Sequence, residues 1–352
     1  MPTIPTRYGP LHVPGRPGDL IEDTLGRYGE WGWLETRFIA AILPDGARVL
    51  DGGAFLGTFG LGLARLRPLS HLCAIEANPA LLPYLTANLR LASCPATAIG
   101  ALLAPPGTPP RPGAAPAGNA SAASFLPGAE GGPIPAPPHA VTLAGLSAQH
   151  GPFDLVKLDV EGMELDILRA DAAIIDGRAT LWAECNEEPR ALDLCALLLS
   201  QGLQVHLFAA PAHNPDNHAG DLVPALPWAY EAGLLAAPRH PPALDPDLRR
   251  HGCILRPIRS VDELTEAMWR IPRWGMPDWP LDDPAALAAL AGRTIRNQPR
   301  DTFLHSGAPL GSPGAEMMWQ RLMAAEARAA AAEARLAALE RPPIPEPPIP
   351  ET

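Results

Sequence analysis

Arg48-Val49-Leu50-Asp51-Gly52-Gly53-Ala54-Phe55-Leu56-Gly57-Thr58 is the stretch on which the fold turns. A short apolar run ends in an acid, a glycine-rich turn follows, and the helical run Gly60–Leu66 comes next. Glycine lets the backbone turn tightly and approach a ligand closely, while the helix start beyond it offers unpaired amides. Outward from here the pattern repeats. His71–Glu76 is a second apolar run closed by an acid, with a helix predicted over Pro79–Leu91. Further strands are predicted over Phe153–Leu158, Ala179–Glu184 and Leu203–Leu207, separated by helices over Gly162–Arg169 and Arg190–Gln201, the last stopped by Gly202. Such alternation builds a parallel sheet with right-handed crossovers.

Upstream, Trp31, Leu34, Phe38, Ile39 and Ile42 predict one helix within Thr24–Leu43, ended by Pro44-Asp45-Gly46. Residues 1–19, rich in proline and glycine, read as extended. Between Ala104 and His139 stand eleven prolines among glycines and alanines, so neither a helix nor a central strand is expected there. The stretch 104–138 reads as a flexible loop insertion beside the sheet, and regular structure resumes at Val141–Leu146. Residues 208–315, rich in Pro, His and Trp, give no clear pattern. Met318, Leu322, Ala325, Ala329, Ala332, Leu336 and Leu339 form a heptad seam, so 316–341 is expected to be a long helix, either a dimerising coiled coil or a solvated terminal helix. The tail 342–352 reads as disordered. The expected organisation is an N-terminal extension and helix over 1–40, a main domain over 41–240, an extension over 241–315, then helix and tail.

Composition narrows the partners. The 352-residue chain carries a formal charge of −11, without the basic footprint that phosphate backbones require, so a nucleic-acid partner is not expected. Five dispersed cysteines with no CxxC pair read as reduced thiols. No window approaches the ~20 apolar residues of a membrane span, and a cytoplasmic enzyme is expected.

Chemistry concentrates at the strand ends. Glu76 stands 25 residues after Asp51, where an acid can accept both hydroxyls of a ribose, as nicotinamide nucleotides and S-adenosylmethionine both require. Gly53-Ala54-Phe55-Leu56-Gly57 lacks the glycine spacing of a dinucleotide fingerprint. Leu155-Val156-Lys157-Leu158-Asp159-Val160-Glu161-Gly162-Met163-Glu164 sets acids at the carboxyl end of a central strand, tolerable beside a sulfonium cation. Candidate proton acceptors are Asp159, foremost, with Glu161, Glu184 and the loop residue His213. His213, Asp216 and His218 match no familiar ligand spacing, and no metal site is expected. Trp269, Trp274 and Trp279 are read as core aromatics or as acceptor-pocket walls.

Together these segments resemble the FkbM family of methyltransferases. The likeness rests on Tyr28-Gly29-Glu30-Trp31, Asp51 to Gly57, Ile75-Glu76-Ala77-Asn78-Pro79, Phe153 to Glu164, Glu184-Cys185-Asn186 and His213-Asn214-Pro215-Asp216-Asn217. It implies a Rossmann-like class I methyltransferase, with a seven-stranded, mostly parallel sheet flanked by helices and a C-terminal extension ending in a long helix. With it come S-adenosylmethionine as cofactor and transfer to a hydroxyl of a sugar, glycan or small metabolite. Amine methylation and a non-catalytic nucleotide-binding scaffold are the alternatives. The implied cofactor residues are Glu30, Asp51, Gly53, Ala54, Phe55, Gly57, Thr58, Glu76, Ala77, Asn78, Gly100, Ala101 and Asp159; Asn186 and Asn217 are implied on the acceptor side. Phe55 departs from the family pattern, which usually has Asn there.

Overall fold

The computed structural model describes residues 1–171, 178–185, 189–225 and 229–269, all within one compact unit. A hairpin of β1 (Thr3–Thr6) and β2 (Gly9–His12) leads into two helices, α1 (Leu20–Tyr28) and α2 (Trp33–Ile42), where one was expected. The break has a local cause. Gly29, at φ 69, closes α1 by donating its N–H to Leu25 O, and Gly32, at φ 64, restarts the chain as the cap of α2.

The alternating segments then appear, with one strand, Ala96–Gly100, that was not read. They are β3 (Ala47–Gly52), α3 (Thr58–Leu66), β4 (Leu69–Glu76), α4 (Leu82–Asn88) with a 3₁₀ turn, and β5 (Ala96–Gly100). The proline-rich stretch is bracketed by β6 (Leu102–Leu103) and β9 (Ala140–Val141), and holds the short ladder β7 (Gly113–Ala115) with β8 (Gly132–Ile134). After it come α5 (Leu143–His150), β10 (Leu155–Leu158), α6 (Glu164–Ala170), β11 (Thr180–Glu184), α7 (Pro189–Ser200) and β12 (Gln204–Pro211). The stretch without a readable pattern supplies β13 (Tyr230–Ala237), α8 (Pro246–Arg250), β14 (Ile254–Ile258) and α9 (Val261–Trp269).

The main sheet has the order β14-β12-β13-β11-β10-β3-β4-β5. Strands β5, β4, β3, β10 and β11 are mutually parallel, and β13 enters antiparallel between β11 and β12. The eighth strand, one more than expected, is β14, which pairs antiparallel with β12 at the edge and draws residues beyond 240 into the sheet. Side chains alternate across it. Leu50, Val156 and Leu181 face a core shared with α5, α6, α7 and α9, while Val49, Leu155 and Trp182 face one shared with α1 to α4 and α8. Phe38 of α2 stacks on Phe208 at 4.2 Å between centroids, and Trp182 closes the trio. This contact ties α2 to the β11–β12 end of the sheet. Among the described residues no helix is long and apolar enough to cross a membrane.

The insertion differs from the flexible spacer expected of it. Phe125 and Ile134 are buried in the core, Leu20 N donates to Gly118 O (2.8 Å), and Ala120 N donates to Asp19 Oδ2 (3.0 Å). Side-chain burial, capping and the short β7–β8 ladder hold the proline-rich segment.

Gly53 shows how closely two loops meet. At φ +77, a Cβ built there would lie 1.7 Å from the backbone oxygen of Asp159, whereas one on Gly46 (φ +76) would meet nothing within 4 Å. Gly46→Ala is expected to cost only the left-handed penalty, about 1–2 kcal/mol. Gly53→Ala is expected to cost about 3 kcal/mol or more, since the backbone clash adds to that penalty. Urea unfolding of the two variants beside the parent chain measures the difference; equal losses would mean that the loops yield to one another.

Candidate functional site

Strands β3, β4, β10 and β11 end along one edge, at Gly52, Glu76, Leu158 and Glu184, where an open α/β sheet binds its ligand. Asp51 and Lys157 face each other in the register of β3 with β10. Lys157 Nζ, almost wholly buried, lies 3.4 Å from Asp51 Oδ1 and 3.0 Å from Asp159 Oδ2. Burial opposes its charge, yet the carboxylates of Asp159, Asp51 and Glu35 outweigh that and hold the ammonium well above its usual range. Asp51 is fully enclosed, while the Asp159 side chain is 40% exposed, so only the latter faces a ligand.

Glu76 closes β4. Its Oε2 accepts Phe55 N (2.9 Å) and its Oε1 accepts Asn78 N (2.7 Å), so each oxygen keeps a lone pair beyond the one an amide occupies. Burial pushes its pKa up to about 7 against the pull of those two amides. Around it, Gly53 N and Ala54 N donate to Ile75 O, Ala101 N donates to Glu76 O, and Gly57 (φ 87) caps α3 ahead of Thr58 without any side-chain bond. Ala77 and Asn78 follow Glu76 directly, and Gly100 ends β5 beside it. Phe55 holds φ 49, a conformation that bulky residues rarely take and asparagine takes readily.

The turn after β10 is the second strained place. Glu161 stands at φ 52, and Glu164 Oε1 accepts the N–H groups of Val160 (2.8 Å) and Gly162 (3.4 Å) from within the turn. Burial pushes Glu164 up to about 7. From the insertion, Ser124 Oγ donates to Glu161 O at 3.1 Å. One carboxylate oxygen each of Asp159, Glu161 and Glu184 lies within 4.8 Å of the others, close enough to share a proton or a cation. Glu184 is pushed well above the ordinary carboxylate range by burial, then by Asp159 and Glu161.

Beside this cluster opens a cleft of about 420 Å³, its mouth included, between the start of α2 and the facing ends of β12 and β13. Trp31, Trp33, Glu35, Asn214 and Glu231 are among its walls. Glu35 is pushed up to about 8 by burial; Lys157 opposes the rise, and Asp159, Glu231 and Asp51 add to it. The cleft is therefore in electrostatic contact with the strand-end carboxylates. Glu35 and Glu231 were not singled out in the sequence, where the available signal was a helix first turn reading Trp33-Leu34-Glu35 behind a glycine.

Other candidates stand elsewhere. Glu30 is buried at the cleft wall, its oxygens accepting from Asn214 Nδ2 (2.7 Å), Arg7 Nε and His218 N (3.1 Å). Asn217 is spent on its own loop, donating to Asn214 O and Asp221 O and accepting Asp221 N. His213 packs edge-on against Tyr28 with Nε2 3.0 Å from Asp221 O, and is not among the cleft walls. Asn186, Trp274, Trp279, the side chain of Trp269 and the helix of 316–341 lie outside the described residues.

The sheet order, with a glycine turn after β3 and acids at or just past the ends of β4, β10 and β11, is that of a Rossmann-like fold. Residues 51–195 match the family model of the methyltransferase FkbM domain. No curated protein matches the chain. Among solved structures it is similar to a precorrin-6y C5,15-methyltransferase from Geobacter metallireducens GS-15, at 16% identity and a TM-score of 0.33 over 58% of this chain and 86% of that one. A SAM-dependent methyltransferase from Aquifex aeolicus is 12% identical, with a TM-score of 0.32 over 58% of this chain and 88% of the other. Cofactor-bound Rv0187 from MTB is 15% identical, with a TM-score of 0.35 over 59% and 79% respectively.

The raised carboxyls have a measurable consequence. Unfolded glutamates release their protons near pH ~4.3, whereas Glu76 and Glu164 hold theirs to about 7 and Glu35 to about 8. Across that window the native chain binds more protons than the unfolded one, so stability falls as pH rises. Burial pushes His71 and His206 down, which gives an opposing slope only below their ordinary value of ~6.5. The urea midpoint of the ligand-free protein is expected to drop between pH about 6.5 and about 8.5. A flat or rising midpoint would show that these carboxyls are solvated.

Proposed function

We propose that the chain transfers the methyl group of S-adenosylmethionine to a hydroxyl of a sugar or other small metabolite. The observation that supports this most is the group Asp159, Glu161 and Glu184 at the carboxyl edge of the sheet, with one member held proton-hungry by burial. S-adenosylmethionine supplies an electrophilic methyl on a sulfonium centre.

On this reading Glu76 holds the ribose, because its two oxygens are already oriented by amides and each retains acceptor capacity. The turn from Gly53 through Phe55 to Gly57 and the start of α3 hold the amino-acid end, with Asp159 facing the cationic side. The negative potential of the edge suits a sulfonium ligand and disfavours an anionic one. An attacking hydroxyl must lose its proton as the new C–O bond forms. Glu184 is the better acceptor for that proton than Asp159, because Asp159 Oδ2 is already engaged by Lys157 at 3.0 Å. A carboxylate base serves a hydroxyl or an ammonium acceptor alike, so the product assay also decides between oxygen and nitrogen.

Calorimetric titration with S-adenosylmethionine and, separately, with NAD is expected to show binding of the methyl donor alone. Glu76→Ala is expected to weaken that binding about tenfold or more, the worth of a charge-assisted hydrogen bond. Glu184→Gln is expected to leave donor affinity within about twofold and to lower S-adenosylhomocysteine release, with an array of hydroxylated acceptors, by about 10²-fold. Unchanged affinity in Glu76→Ala would remove the ribose assignment, and an unchanged rate in Glu184→Gln would remove the base.

A further inference from the structure

The cleft beside the carboxylates is a built site. Trp31 is held at both backbone groups by the buried Tyr8: the Tyr8 hydroxyl donates to Trp31 O (2.6 Å) and accepts from Trp31 N (3.2 Å). Trp33 is held on one side by the Arg7 guanidinium, 4.8 Å from its ring centroid, and by the Tyr8 ring meeting it edge-on at 6.0 Å. Two large indoles left half-buried at a cavity, with their backbones and rings clamped from behind, form an aromatic wall whose ordering cost is met on folding.

The polar groups of the cleft are as specific. Among the described residues the Glu35 carboxyl makes no hydrogen bond, although it is half-buried at the cleft and crowded by other acids. Glu231 stands across from it on β13, and Asn214 adds an amide. Among the described residues no lysine, arginine or histidine is among the walls, and the Arg7 guanidinium over Trp33 is committed to Glu30 and to Asp216 O. Phosphate, sulfate or carboxylate groups would enter against the wall carboxylates, with no cation among the described wall residues to meet them. A purely apolar ligand would bury the Glu35 carboxyl without a partner. A ring with C–H faces and several hydroxyl donors satisfies both walls at once.

We infer that this cleft is the acceptor site and that it takes an uncharged, polyhydroxylated ring, a neutral sugar unit, laid against Trp31 and Trp33 with its hydroxyls on Glu35 and Glu231. The inference rests on the methyltransferase reading above and adds the place and the chemical class of the acceptor. A hydroxyl bound at Glu35 would meet the wall carboxyl on which the charges of Lys157 and Asp159 act.

The test is saturation-transfer NMR on the full chain with S-adenosylhomocysteine bound, using a mixture of neutral monosaccharides, their amino sugars and their uronic acids. At least one neutral sugar is expected to give signal and every uronic acid to be silent. Trp33→Ala and Glu35→Gln are each expected to weaken that sugar at least tenfold, with Trp33→Phe, which keeps a flat ring, retaining it within a few fold. All three variants are expected to bind S-adenosylhomocysteine as the parent does, which also shows them folded. Binding only of amino sugars, binding of uronic acids, or sugar binding indifferent to both variants would overturn the inference. So would silence from every sugar while S-adenosylhomocysteine binds, and the methyltransferase reading would survive that result. Failure of S-adenosylhomocysteine to bind the parent chain would instead bring down the reading beneath it.

Discussion

A single buried ammonium organises the working edge of this protein. Lys157 sits between Asp51 of β3 and Asp159 just past β10, at the register point where the two central strands are paired. Removing one partner of a buried ion pair costs about 3–5 kcal/mol, since the other charge is left without compensation. Here the loss would strand two acids at once, with a third, Glu35, feeling the same cation from α2. The lysine therefore sets both the position of the acids and the amount of negative charge the edge can hold.

The two loops that flank this cation are built around each other. Gly53 admits the Asp159 backbone because it has no side chain, and the conformation at Phe55 is held by the Glu76 carboxylate on its amide. Opposite, the turn at Glu161 is braced by Glu164 from one side and by Ser124 of the insertion from the other. Both non-glycine residues at positive φ among those described fall in these loops. Strain of this kind persists only where surrounding contacts over-determine it, and it clusters where ligands are gripped. The insertion is thus part of the frame of the site, although its composition suggests a spacer.

That mismatch shows where sequence is legible and where it is not. The run from Val49 to Thr58, the acid at Glu76 and the string from Lys157 to Glu164 are local signals, because strand ends and glycine turns are written within ten residues. Strands β3, β4, β10 and β11 of the parallel half were read from such local signals, and β5 was not. Nor was strand β13, since it enters antiparallel between two strands already formed, and β14 lies in a stretch whose prolines obscure period two. The order of the insertion depends on Asp19 and Glu161, some hundred and some forty residues away, which no window can contain. Glu35 is the sharpest case. In sequence it is an ordinary first-turn acid of a helix, favourable to the dipole. Only the fold sets it beside Glu231 and within the field of Lys157.

The same field ties the cleft to the strand ends. Asp159 and Glu231 raise the proton affinity of both Glu35 and Glu184, so neither of those two titrates alone. A cationic ligand at Asp159 stabilises every charged carboxylate near it and draws protons off the group. A ring of hydroxyls at Glu35 favours the charged form by donating to it. On the proposed reading, donor and acceptor therefore act on one shared pool of protons. Each prepares the edge for the other by leaving a carboxylate free to accept the proton that methyl transfer releases. Among the described residues the permanent cation acting on that pool is Lys157, and it is buried too deeply to be displaced by either ligand.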